Sequence, residues 1–202
     1  MPAFRTDAPL PAAFGEARPK LEFAQKAFIL DEDRLLMVRK SASDPYHPGR
    51  WEVPGGRLEV AGDLDLDDHI RREVWEEVGL KIAPGPPFHL WQWYMPGRPR
   101  GRKAILPRPV RVVAAARLCS PVTHEVSVEN QTATDHLADA AWVPLREIDG
   151  YDLIPSLRPV MRAFRQMCPA QSLPTRYSSP SHPQPAWFSP DFPDLPDLPA
   201  PG

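Results

Sequence analysis

Apolar residues along this chain switch between two periods, and the switches mark the elements. From Leu21, the segments LEFAQKAFIL, DEDR and LLMVRK read as a strand, a tight turn and a second strand. SASDPYHPGR follows as a loop, because its prolines and glycine break any regular element. WEVPGG reads as a short strand that ends in a turn. From about Asp67 to Val78 the period becomes helical: Ile70, Val74 and Val78 recur every fourth residue and can face a core. Gly79 stands where a C-capping glycine would stand. PFHLWQWYM then reads as a strand, PGRPRGRKAILPRP as a basic loop, VRVVAAARL as a strand, and AAWVPL as a last strand leading into REI. A closing helix is expected in SLRPVMRAFRQM. Ser156 would be its N-cap, Pro159 would lie in its first turn, and Leu157, Val160, Met161 and Phe164 would form one apolar stripe. The order of strands, helix, strands and helix predicts an α+β domain, a mixed β-sheet with helices packed on it.

Composition adds boundaries to this pattern. Of the 202 residues, 28 are proline, many of them towards the two ends. Residues 1–20 read as a flexible N-terminal segment, 21–168 as the folded domain, and 169–202 as a disordered Pro-rich tail that cannot bury a core. A formal net charge of −2 gives no global electrostatic case for binding nucleic acid. The two cysteines, Cys119 and Cys168, make neither a disulfide framework nor a four-ligand zinc site, so a reducing, cytoplasmic setting is expected. The N-terminus has no continuous apolar stretch of the signal-peptide kind, and VRVVAAARL is too short to span a bilayer, so no membrane partner is expected.

Candidate chemistry concentrates on the first helix. Glu73, Glu76 and Glu77 have the i, i+3, i+4 spacing that puts side chains on one helix face, expected to lie away from Val74 and Val78. Three such carboxylates supply hard oxygen donors that suit Mg²⁺ or Mn²⁺; an ordinary solvated acidic face is the competing reading. The segment Arg72-Glu73-Val74-Trp75-Glu76-Glu77-Val78-Gly79-Leu80 resembles the second half of the Nudix hydrolase signature, G-x5-E-x7-R-E-U-x-E-E-x-G-U, where U is aliphatic. Trp51-Glu52-Val53-Pro54-Gly55-Gly56 is similar to the strand and turn that usually precede it, and the flanking strands extend the resemblance over roughly residues 21–165. The first half departs from the pattern. Gly56 precedes Arg72 by 16 positions, two more than the signature's spacing, and Asp63 or Glu59 must stand in for its intermediate glutamate.

The resemblance implies a Nudix-type mixed sheet sandwiched by helices. It also implies Mg²⁺-dependent cleavage of the diphosphate linkage in a nucleoside diphosphate joined to another group, ADP-ribose-like, or in a nucleoside triphosphate. It places the metal at Glu73, Glu76, Glu77 and the backbone carbonyl of Gly56, and gives Arg72 the task of holding the carboxylates. For the general base it leaves Glu73 or a later-loop residue, namely Glu125, Glu129, Asp135 or His136. Substrate contacts are expected from Arg50, with Tyr46 and His47 beside it. They are also expected from Arg100 and Arg102 in the basic loop with Arg98 and Lys103, and from Trp91 and Trp93, which could equally be core aromatics. Pro96 is a further hint of an ADP-ribose-like substrate. The partner is then a small nucleotide-type molecule, and a homodimer is left open. The alternative function is a catalytically silent Nudix-like domain that binds a nucleotide or a regulatory partner.

Deleting residues 169–202 is expected to leave turnover and folding nearly unchanged, because the tail buries too little apolar area to offset its own ordering. A fall in melting temperature of more than about 8 °C would show that the tail packs on the domain.

Overall fold

The computed structural model describes residues 20–59, 65–95, 109–131 and 135–168. The expectations for residues 1–19, for Asp63, for Pro96 and the basic loop with Arg98, Arg100, Arg102 and Lys103, and for the tail at 169–202 fall outside these residues. Among the described residues there are six strands: β1 (Lys20–Asp31), β2 (Arg34–Lys40), β3 (Trp51–Glu52), β4 (Ile82–Met95), β5 (Val110–Pro121) and β6 (Leu137–Pro144). Helix α1 spans Leu66–Val78 and α2 spans Arg158–Met167, with 3-10 turns at Leu145–Gly150 and Pro155–Leu157.

The strands form one mixed sheet in the order β3-β2-β1-β5-β4, with β6 paired along β2. β1 runs parallel to β5 over Lys20–Ile29. Its hairpin partner β2 pairs with it only at Leu30–Leu35 and Asp31–Arg34, after which the two strands part. The chain that follows β3 fills the gap. Ala27 N–H bonds the Pro54 carbonyl at 2.8 Å, Gln25 N–H bonds Gly56 O at 3.0 Å, and Leu58 N–H bonds Phe23 O at 2.9 Å. The two glycines of WEVPGG are thereby wedged between two diverging strands, facing the first helix.

Alternation along the central strands feeds two cores. Phe28, Leu35 and Met37 pack with Val143, Leu157, Val160, Met161 and Phe164 beneath α2. Ala27, Ile29, Leu36 and Val38 pack with Ile70, Val74 and Val78 of α1. The sheet is therefore covered by a helix on each face, as the sequence predicts. Asp65 caps α1 by accepting the N–H groups of Asp67 and Asp68, and these two acids also suit the positive end of the helix dipole. Gly79 ends the helix in the left-handed conformation, φ 66°.

Several boundaries differ from the pattern, among them β5, which runs on to Pro121, and β6, which begins at Leu137. β4 begins at Ile82 and runs through Pro84 and Pro87, with register irregularities around both. It lies at the edge of the sheet, where a missing N–H costs no ladder bond on the open side. Ser156 is not the cap of α2; it sits inside the Pro155–Leu157 turn, and α2 starts after Leu157 without a side-chain cap. Pro159 near the helix start has no N–H for such a cap to bind.

Phe164 is fully buried, with its ring 5.0 Å from that of Phe28 and 6.1 Å from that of Phe88. Phe164→Ala is expected to lower stability by about 3–5 kcal/mol in urea unfolding. A loss below about 1 kcal/mol would mean that α2 does not seal this core in solution.

Candidate active site

The acidic face of α1 divides between surface and interior. Glu77 lies seven residues after Ile70, so helical geometry turns it onto the buried stripe rather than away from it. Its side chain is buried, and its Oε2 accepts the Gly55 N–H at 2.7 Å. Glu73 is nearly buried, and Glu76 is about one-third exposed. Arg72 bridges these two, 2.8 Å from Glu73 Oε1 and 2.9 Å from Glu76 Oε2. The expected placement of all three carboxylates away from Val74 and Val78 is thus corrected for Glu77, which lies on the buried side. Like charges on one helix separate onto the positive or N–H donors they can reach.

Both glycines are required by close approach. Gly55 has φ 120°, and a Cβ there would strike the Gln25 carbonyl. A Cβ on Gly56 would overlap the Glu73 carboxylate. The Gly56 carbonyl, expected to complete a metal shell, is engaged by Gln25 N–H in the strand ladder. The carbonyl bound by a cationic side chain is that of Gly55, which accepts from Lys26 Nζ.

Three charges lie beside this turn, Lys26 and Glu52 buried and Lys40 half-buried. Glu52 of β3 contacts Lys26 Nζ of β1 at 2.6 Å and Lys40 Nζ of β2 at 3.0 Å. Burial alone would raise the Glu52 pKa, but the two ammonium groups outweigh it and bring it down to about 2. Burial likewise opposes the charge on Lys40, yet Glu52 and Glu77 hold its proton above the ordinary lysine range. Glu73 and Glu77 behave in the opposite way. Burial raises both to about 7, against the pull of Arg72 on Glu73 and of Lys26 and Lys40 on Glu77. Glu76 adds to the rise at Glu73, and Glu52 to that at Glu77.

This is a site short of positive charge. Among the described residues, no three acidic, imidazole or thiol side chains form a finished cation cage. The donor set nevertheless suits a hard divalent ion. Two carboxylates with raised proton affinity, Glu77 buried and Glu73 nearly so, lie one helical turn apart, and a third, Glu76, pairs with Arg72 nearer the surface.

The sequence model of the family described as NUDIX domain matches residues 21–166. The chain belongs to the Nudix family. A MutT-like protein of Streptomyces ambofaciens is 37% identical over 54 residues, 27% of this chain and 30% of that protein. The chain spans less than a third of the length of the first curated relatives it matches. The nucleoside triphosphatase NudI of Klebsiella pneumoniae (strain 342) is 24% identical over 131 residues, 62% of this chain and 83% of that protein. The crystal structure of a MutT protein from Methanosarcina mazei Go1 superposes with a TM-score of 0.58 at 22% identity, covering 76% of this chain and 99% of that one. That likeness establishes the Nudix fold.

Within the Nudix domain the expected site residues do not all meet. Glu73, Glu76, Glu77, Arg72 and the glycine turn do. Arg50 instead pairs with Asp152 at 3.3 Å. Trp91 and Trp93 pack on each other, 5.8 Å between centroids, and against Ala24, Val112 and Ala114 of the sheet. Arg100 and Arg102 lie outside the described residues. Glu125 and Glu129 are exposed in a loop tied to the end of α1 through Ser127 N–H and Val78 O. Asp135 approaches through its carbonyl, which accepts from Lys40, and His136 bonds through its own carbonyl to Ser41 N–H. The sequence reading did not single out Glu52, Lys26, Lys40, Gln25 or His69. The adjacent Gln25 and Lys26 were a usable signal, since they interrupt an otherwise apolar strand.

Stability against pH follows from three of these carboxyls. Glu52, held near 2, contributes stability that is present above the ordinary 4.5 and lost as pH falls towards 2. Glu73 and Glu77, raised from 4.5 to about 7, keep their protons longer in the folded state, so stability falls as pH rises between those values and then levels off. The metal-free protein is expected to be most stable near pH 4.5, and Glu77→Gln should flatten the decline above it. Denaturant titrations at about pH 4.5, 6 and 7.5 would show this, and a wild type equally stable at all three would refute it.

Proposed function

We propose that this chain is a Mg²⁺-dependent hydrolase that cleaves the diphosphate linkage of a small nucleotide-type substrate. The observation that carries the proposal is the pair Glu73 and Glu77: buried or nearly so on one helix face, short of compensating charge, and in contact with the glycine turn. A divalent ion bound there would offset the charge of the diphosphate and lower the pKa of an attacking water. Glu73, Glu76 and Glu77 would hold it; Mn²⁺ offers the same ligand chemistry.

The chain's own residues divide the remaining work. Arg72 holds Glu73 and Glu76 apart from one another's charge until the acids take their ligand. Gly55 N–H orients Glu77. For the general base Glu73 is the proposed candidate, since it lies against the glycine turn while Glu125 and Glu129 are exposed in a loop. Lys26 and Lys40 keep Glu52 ionised and add positive potential beside the site. The match to a nucleoside triphosphatase supports a nucleotide-type substrate. Arg100 and Arg102 stay its proposed contacts, whereas Arg50 is engaged by Asp152 and Trp91 and Trp93 pack on the sheet. A screen of nucleoside triphosphates and nucleoside diphosphate derivatives with Mg²⁺ would identify it.

Glu77→Gln retains an oxygen to accept Gly55 N–H but removes the charge. It is expected to hold or raise metal-free stability, to reduce stabilisation by Mg²⁺, and to lower kcat on the order of 100-fold or more. Wild-type turnover together with wild-type Mg²⁺ stabilisation in this variant would reduce the helix to an acidic face without catalytic use.

A further inference from the structure

Gln25 is 1% exposed and His69 is fully buried, behind the acidic face of α1. The amide nitrogen of Gln25 donates to Leu66 O at 2.7 Å and lies 2.8 Å from His69 Nδ1. Its amide oxygen accepts from Arg117 Nη1 at 3.3 Å. A guanidinium only donates and a carbonyl only accepts, so the amide has one orientation that satisfies both. Arg117 is in turn held by the Asp67 carboxylate and by Gly85 O at 2.8 Å.

That orientation decides where the histidine carries its proton. Facing an N–H donor, Nδ1 is an acceptor and the imidazole is neutral, with its proton on Nε2. Nε2 looks at Glu73 Oε1, 3.6 Å away and one helical turn along. Arg72 binds the same Oε1 at 2.8 Å, while Glu73 Oε2 is pressed against Gly56.

We propose that His69 is a positioning residue for Glu73, its tautomer set by Gln25 and its Nε2–H directed at the Glu73 carboxylate. The 3.6 Å separation is longer than a hydrogen bond, so the Nε2–H orients the carboxylate electrostatically from the buried side of the helix. The role assigned to Glu73 rests on the hydrolase reading; the proton position on His69 does not.

The test combines a spectroscopic and a kinetic readout on the full chain. In ¹⁵N-labelled, metal-free protein at about neutral pH, one-bond proton coupling should appear on Nε2 of His69 and not on Nδ1. His69→Gln places a donor near the former Nε2, whereas His69→Asn keeps an acceptor for Gln25 but stops short of Glu73. His69→Asn should lower kcat about 10–100-fold and weaken Mg²⁺ binding in calorimetry, with KM little changed; His69→Gln should stay within about threefold of wild type on both. A proton on Nδ1 would overturn the proposal. So would an undiminished His69→Asn, or equal losses in both variants that follow their melting temperatures. If wild type cleaves no diphosphate at all, the hydrolase reading fails, and the proton position and Mg²⁺ titrations still decide the role of His69.

Discussion

The charged triad of Lys26, Glu52 and Lys40 is the constraint on which the site depends. These residues come from three strands, β1, β3 and β2, at the place where β1 and β2 have stopped pairing. Charges withdrawn from water are tolerable only when partnered, and removing one partner of the buried Lys26–Glu52 pair would strand the other at a cost of about 3–5 kcal/mol. Lys26 meets this demand by also bonding the carbonyls of Val53 and Gly55. The ion cluster therefore fixes the turn after β3 as well as the strands around it. With that turn fixed, Gly55 N–H meets Glu77 and Gly56 lies against Glu73.

Four glutamates within this small volume show how environment, not residue type, decides proton affinity. Glu52 has two ammonium neighbours and is held near 2, although it is as buried as Glu77. Glu77 feels the same lysines at longer range and the repulsion of Glu52, and rises to about 7. Glu73 has one guanidinium, one acidic neighbour and a dry setting, and rises similarly. Glu76, the most exposed of the set, shares Arg72 with it. The partners of each acid thereby set which way its proton affinity moves.

The lengthened spacing between Gly56 and Arg72 has a specific outcome. The two ends of the motif remain in contact across it, through Gly55 with Glu77 and Gly56 with Glu73. That contact needs a backbone without side chains at two successive positions, and the paired glycines of WEVPGG supply it.

Much of the fold was legible in local pattern. The helical period of Ile70, Val74 and Val78, the hairpin around DEDR, the apolar stripe from Leu157 to Phe164 and the Arg72–Leu80 motif are short-range features, and short-range geometry makes a helix or a strand from them. The α1 glutamates were identifiable for the same reason, since spacing on one helix is set by its own backbone. What each glutamate meets was decided by tertiary structure. Its spacing from Ile70 carries Glu77 onto the buried stripe, but the donor that receives it there, Gly55 N–H, comes from another element. Glu52, Lys26 and Lys40 are separated along the chain and meet only because three strands diverge around one turn. Arg50 was drawn to Asp152, a partner 102 positions away, which no local pattern reveals. Periodicity reports the face that seeks burial; the pairing of charges across that face is a property of elements brought together by the fold.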